Sequence, residues 1–183
     1  MENSQLLIAC DPGATGAYAV FIDGELKDLI PASINPEWFK TFLKCLNTYP
    51  KPQVTCVIEQ VHGIRGQAAA STFAFGSAYG ASMMWLSYLG GVGCVASVAP
   101  ATWMRVLGVE AGLEHRVRKN RIAQIVRAAF PNANITVANA DAVGLGLACL
   151  QEPELLKTAF NLEKEVNYHR YRGRLVSNPY ATK

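Results

Sequence analysis

Three carboxylates in this chain stand where apolar segments begin or end. Asp11 closes the run LLIAC and opens DPGATG, Glu59 closes VTCVI, and Asp141 opens ADAVGLGLACL. Taken singly, each has an ordinary reading. Asp before Pro-Gly is a common turn residue, a strand-end Glu often faces water, and an acid in the first turn of a helix is favoured by the helix dipole. Taken together they suggest chemistry. If the strands ending in Asp11 and Glu59 are parallel neighbours, both side chains converge at one sheet edge and repel unless a cation sits between them. Oxygen-only donors suit Mg²⁺ or Mn²⁺, and no adjacent His or Cys competes for a softer metal. With Asp141 as a third ligand, the cradle would suit phosphodiester hydrolysis, activating water and stabilising the leaving oxygen.

The elements that must deliver these acids follow from the hydrophobic pattern. Leu6–Cys10 is a short continuous apolar run, as expected for a strand covered on both faces. GAYAVFID and GELKDLI follow after tight turns, the second at Asp23-Gly24, and read with it as an antiparallel meander. Residues 35–47 carry Trp38, Phe39, Phe42, Leu43 and Leu46 at helical spacing after Pro36. VTCVIE, at 54–59, is a fourth strand reached through that helix and therefore expected parallel to the first. A long helix over 67–89, a strand over 93–98, a short helix from Pro100 to Val106, a basic helix over 114–130 and an apolar helix over 140–150 complete the pattern. The expected fold is α/β, a mixed five-stranded sheet with three antiparallel strands, then parallel strands, flanked by helices.

Composition narrows the classes. A chain of 183 residues with 50% hydrophobic content fits one domain with a substantial core, and is short for a two-lobed kinase or actin-like ATPase. No Asp, Glu, Lys or Arg lies between Arg65 and Arg105, yet Ser, Thr and Gly interrupt that tract, and a buried helix plus a buried strand explain it better than a membrane span. The five cysteines form no CxxC pair, and no basic and apolar leader follows Met1, so a reduced, cytoplasmic setting is expected, with no targeting or transmembrane segment.

The net charge of +3 is small, so placement matters more. Arg116, Arg118, Lys119, Arg121 and Arg127 cluster with one acid, Glu114, and HRVRKNR gathers most of them at the helix start. Such a surface suits phosphate contacts, and equally a solvated helix face. In the tail, His169, Arg170, Arg172 and Arg174 alternate with Tyr168, Tyr171 and Tyr180, a pattern compatible with a nucleic-acid-binding arm or with a terminus lacking a role. The long helix is rich in small residues, and Gly76 and Gly80 share one face that admits another backbone, either the sheet or a second copy.

The order DPGATG, VIEQVHG, GQAAASTFAFGSAYG, VAPATWMRVLGV, RKNRIAQIVRAAFP, ADAVGLGLA resembles the RuvC-type Holliday junction resolvases, and is most similar to their phage-like branch. The resemblance spans roughly residues 6–150 and implies an RNase H-like fold, a homodimer, and nicking of four-way (branched) DNA with Mg²⁺ or Mn²⁺, two ions per site. It implies Asp11, Glu59 and Asp141 as catalytic metal ligands and Lys119 as a cation near the scissile phosphate. DNA contacts are expected from His62, Arg65, Arg116, Arg118, Arg121, Arg170 and Arg172. Part of the long helix, including Met83, Met84 and Trp85, is expected at the dimer interface. The resolvase domain is expected over 1–152, with a polar and basic extension over 153–183.

Two departures qualify this. Family members usually carry two acids three residues apart on the last helix, whereas here Asp141 stands alone, its missing partner falling at Ala138 or Gly144. The chain reads EQVH where an aromatic is usual, leaving His62 to stack on a base or to titrate near the site, unless it is an ordinary loop histidine; Phe73 or Phe75 are alternative aromatics, with core packing the stronger expectation for both. A junction-binding dimer with weakened or lost catalysis is therefore the alternative. A nucleotide phosphotransferase of the actin and sugar-kinase type also begins with Asp and a glycine turn, but no second phosphate loop is visible.

Overall fold

The computed structural model describes residues 5–13, 15–32, 53–61, 66, 68–90 and 95–157, with 40, 43 and 44. The strands are β1 (Gln5–Asp11), β2 (Ala17–Ile22), β3 (Glu25–Pro31), β4 (Gln53–Glu59) and β5 (Val95–Val98). The helices are α1 (Ala69–Gly90), α2 (Pro100–Val106), α3 (His115–Ala129) and α4 (Ala140–Gln151), followed by a 3-10 turn, Pro153–Lys157. The helix expected over 35–47 lies almost wholly outside the described residues.

The five strands form one sheet in the order β3-β2-β1-β4-β5. β2 runs antiparallel to both β1 and β3, while β1, β4 and β5 are parallel. The β2–β3 hairpin closes on Asp23 and Gly24, both at positive φ (50° and 83°), the two-residue geometry whose twist matches the strands it joins.

Helices cover both faces, and that is why β1, β2 and β4 read as near-continuous apolar runs. One face, with Leu6, Ile8, Cys10, Tyr18, Val20, Cys56 and Ile58, packs against Leu86 of α1. Tyr18 there donates its hydroxyl to Ser82 of α1 at 3.0 Å, tying helix to sheet inside the core. The opposite face carries Leu7, Ala9, Ala19, Phe21, Val57, Ala96 and Val98 beneath α2, α3 and α4. Leu155 of the 3-10 turn joins this second cluster.

α4 comes unusually close to the sheet. A Cβ on Gly146 would lie 2.2 Å from the Phe21 ring, and one on Gly144 would lie 3.0 Å from Trp103 of α2. Phe21 also meets Phe130, just after α3, with ring centroids 5.8 Å apart. Cys10, Cys56 and Cys149 are buried, and burial pushes the Cys149 thiol up to about 12; all three serve as small core residues. No helix among the described residues is long and apolar enough to cross a membrane.

Candidate active site

The parity of the strands decides where the acids point. β1 and β4 are paired in parallel register up to Cys10 opposite Ile58, and Asp11 and Glu59 come next on each strand. Side chains alternate between faces. Asp11 therefore follows Leu7 and Ala9, and Glu59 follows Val57, onto the face covered by α2, α3 and α4.

The turn after Asp11 is built for that exit. Gly16 donates its N–H to the Gly13 carbonyl at 3.1 Å, reversing the chain at once. A Cβ at Gly16 would stand 2.0 Å from the Asp11 carbonyl oxygen, so only glycine fits. Gly13, at φ 142°, adopts a conformation that side-chain-bearing residues avoid, and the Phe75 ring packs beside it.

Asp141 is set by a different device. Thr136 donates its backbone N–H to Asn139 Oδ1 at 2.8 Å, and the Asn139 amide reaches the Asn134 carbonyl, bracing the loop into α4. Asp141 follows in the first turn of α4, where the helix dipole favours its charge. Its Oδ2 accepts from Lys119 Nζ of α3 at 2.5 Å. The other oxygen, Oδ1, is buried and has no hydrogen-bond partner among the described residues. Glu59 accepts a 3.0 Å hydrogen bond at Oε1 from the indole N–H of Trp103.

The electrostatics show one coupled group. Burial pushes the Asp11 carboxyl up to about 8, with Glu59 and Asp141 adding repulsion and Lys119 opposing it. Burial likewise lifts Glu59 to about 7, against the Trp103 hydrogen bond, with Asp141 raising it and Lys119 and Arg118 lowering it. Burial works against the Lys119 ammonium, but Asp141, Asp11 and Glu59 outweigh it and hold its pKa above the ordinary value. The structure thus brings together Asp11, Glu59, Asp141 and Lys119, all four of the expected catalytic residues.

This donor set suits a hard divalent cation. Three carboxyls share one lysine and resist joint ionisation unless further positive charge arrives, and Asp141 Oδ1 is a buried acceptor with no hydrogen-bond partner among the described residues. Among the described residues, however, no group of three His, Cys, Asp or Glu side chains is placed to hold one ion. Lys119, on Asp141, supplies the positive charge present in this arrangement.

Beside Lys119 opens a cleft of about 560 Å³, lined by residues that include Thr15, His115, Arg116, Asn120 and Ala138. Arg116 and Arg121 are exposed and Arg118 is half-buried, acting electrostatically on Glu59. Arg127 does structural work instead, donating Nε–H to the Ile135 carbonyl at 2.9 Å. His62, Arg65, Arg170 and Arg172 lie outside the described residues.

The structure adds to the reading from sequence at several positions. Phe73 is 78% exposed, so the expectation of core packing fails for it, whereas half-buried Phe75 packs at Gly13. Among the described residues nothing lies within 4 Å of a Cβ built on Gly76 or Gly80, so of the two approaches left open, the one onto the sheet is not seen there. Trp103 was visible only as the W of a motif, and nothing in its spacing announced a hydrogen bond to Glu59. Gly144 is buried under Trp103, Ile122 and Leu107, which leaves no room for an acid there; of the two positions open to the missing carboxylate, only exposed Ala138 borders the cleft.

A five-stranded sheet in the order 3-2-1-4-5, with only its second strand reversed and helices on both faces, is an RNase H-like fold. The chain is similar in structure to RuvC of Thermus thermophilus, in complex with a Holliday junction substrate (TM-score 0.56, 20% identity, 84% of this chain and 98% of that one). It is also similar to a second Thermus thermophilus RuvC structure (TM-score 0.55, 20% identity, 84% and 98%). No protein-family model and no curated protein matches the chain.

Proposed function

We propose that this protein is a structure-selective endonuclease that resolves four-way DNA junctions as a dimer, using Mg²⁺ or Mn²⁺. The observation that carries this reading is the meeting of Asp11, Glu59, Asp141 and Lys119 on one sheet face beside a basic cleft. The likeness to a RuvC bound to a Holliday junction supports the choice of substrate. The phage-like branch rests on the sequence motifs alone.

Asp11, Glu59 and Asp141 would hold the cations. Two bound ions would supply a hydroxide at neutral pH and stabilise the leaving oxygen of an in-line displacement. The remaining roles belong to the chain's own residues. Lys119, placed between Asp141 and the cleft, balances the phosphate charge as it develops. Arg116, Arg118 and Arg121 would contact the DNA backbone at the mouth of the site, and His62, Arg65, Arg170 and Arg172 are proposed to extend that surface.

Dimerisation is supported by α1. Phe73, Met84 and Tyr88 are exposed at 78%, 56% and 71%. With Gly80, they fall within about 80° of one another around the helix. A twofold partner on that face would present two sites to the two opposed strands of a junction.

The test incubates the protein with a synthetic four-way junction and Mg²⁺ or Mn²⁺. Paired nicks in opposed strands are expected, and Asp11→Asn, Glu59→Gln and Asp141→Asn should each abolish them while junction binding persists. Binding without nicking across metal concentrations would favour the second reading, a junction-binding dimer. The observation on its side is the single acid on α4, already taken by Lys119.

A further inference from the structure

The indole of Trp103 is 1% exposed, and its N–H has Glu59 Oε1 as acceptor at 3.0 Å. An indole nitrogen can only donate, so this contact selects a carboxylate oxygen in one orientation. It engages one of the two Glu59 oxygens.

The ring is seated against the helix that carries Asp141. Pro100 starts the short α2 helix on which Trp103 sits, and the ring meets α4 where Gly144 has no side chain. A Cβ there would stand 3.0 Å from the Trp103 ring, 3.3 Å from Ile122 and 3.3 Å from Leu107. Gly144 thus clears the space that lets a large rigid side chain reach across to Glu59. The helix that carries Asp141 thereby also fixes the ring that orients Glu59.

We infer that Trp103 is a positioning residue for Glu59, seated by Gly144, and that its N–H sets the carboxylate in the orientation that accepts a divalent cation. The inference rests on the nuclease reading only for its effect on cleavage; its effect on cation binding stands apart.

The test uses the full chain. In protein ¹⁵N-labelled at tryptophan, the Trp103 indole resonance, assigned by its loss in Trp103→Phe, should shift in Glu59→Gln and on titration with Mg²⁺. By calorimetry, Trp103→Phe should weaken Mg²⁺ binding by about 10-fold or more, and kcat on a junction should fall by a similar factor with KM nearly unchanged. If Trp103→Phe misfolds, benzothienylalanine at 103 keeps the ring shape and replaces N–H with sulfur, and the same losses are expected. An indole resonance indifferent to Glu59→Gln, or Mg²⁺ binding unaltered in a folded variant lacking the N–H, overturns the inference. If the unmodified protein binds Mg²⁺ with the predicted Trp103 dependence yet cuts no junction, the inference holds and the nuclease reading fails.

Discussion

Lys119 and Asp141 form an ion pair between α3 and α4, with Nζ at 2.5 Å from Oδ2 and the two side chains 23% and 11% exposed. The pair neutralises one acid of a three-acid group, and the second oxygen of that acid has no hydrogen-bond partner among the described residues. Lys119→Ala removes the cation that favours ionisation of both Asp11 and Glu59. Cleavage should fall by about 100-fold, whereas junction affinity changes by no more than about threefold. Equal losses in single-turnover rate and in binding would make Lys119 a phosphate anchor only.

The raised carboxyls predict a pH dependence of stability without metal. Asp11 and Glu59 titrate at about 8 and about 7 in the fold, against ordinary values of 3.8 and 4.5. Between those limits the folded state binds more protons than the unfolded chain, so these groups lower stability as pH rises from about 4 to about 8. Thermal melts in EDTA should show Asp11→Asn gaining about 5 °C over the unmodified protein at pH 8.5, and much less at pH 5. Mg²⁺ should recover stability at the higher pH in the unmodified protein. A variant with no advantage at pH 8.5 would contradict the picture of buried carboxyls that also repel one another.

The single acid of α4 invites a paired substitution. Ala138 is exposed, borders the cleft beside Lys119 and stands three residues before Asp141. Ala138→Asp should tighten Mg²⁺ binding by about tenfold, because another hard ligand joins the set. Gly144→Asp should instead cost about 3 kcal/mol or more, since its side chain would press on Trp103 and bury a charge. Calorimetry for the first and urea unfolding for the second check the contrast.

Gly16 is the tightest point of the Asp11 turn. Gly16→Ala places a methyl 2.0 Å from the Asp11 carbonyl, and the turn must open to admit it. We expect about 2 kcal/mol of destabilisation and loss of cleavage, while binding through the α3 arginines persists. Normal cleavage by Gly16→Ala would show that Asp11 does not depend on this turn.

Much of this arrangement was legible in the sequence because it follows from short-range rules. Apolar runs bounded by turns gave all five strands, and Pro100 and Pro131 bracketed α2 and α3 closely. Asp11 and Glu59 were readable as strand ends whose convergence required only parallel pairing, which the intervening helical segment implied. The remainder was hidden because it depends on tertiary approach. A tryptophan reports its size to a sequence reader and not its acceptor, so Trp103 read only as one letter of a motif. Gly144 read as a lost ligand until the ring beneath it was placed. Phe73 and Phe75 look alike at two residues' separation, yet about 200° of helix rotation sends one to solvent and the other onto Gly13.

The two close approaches of α4 also govern how that helix can be aligned. Gly144 sits under Trp103 and Gly146 on Phe21, like two notches cut in a shaft. Sliding α4 by a single residue would turn it about 100° and bring Cβ atoms into both notches. The glycines therefore act as an angular key, permitting one azimuth of the helix and with it one bearing of Asp141. The carboxylate takes its aim from two residues that have no side chain at all.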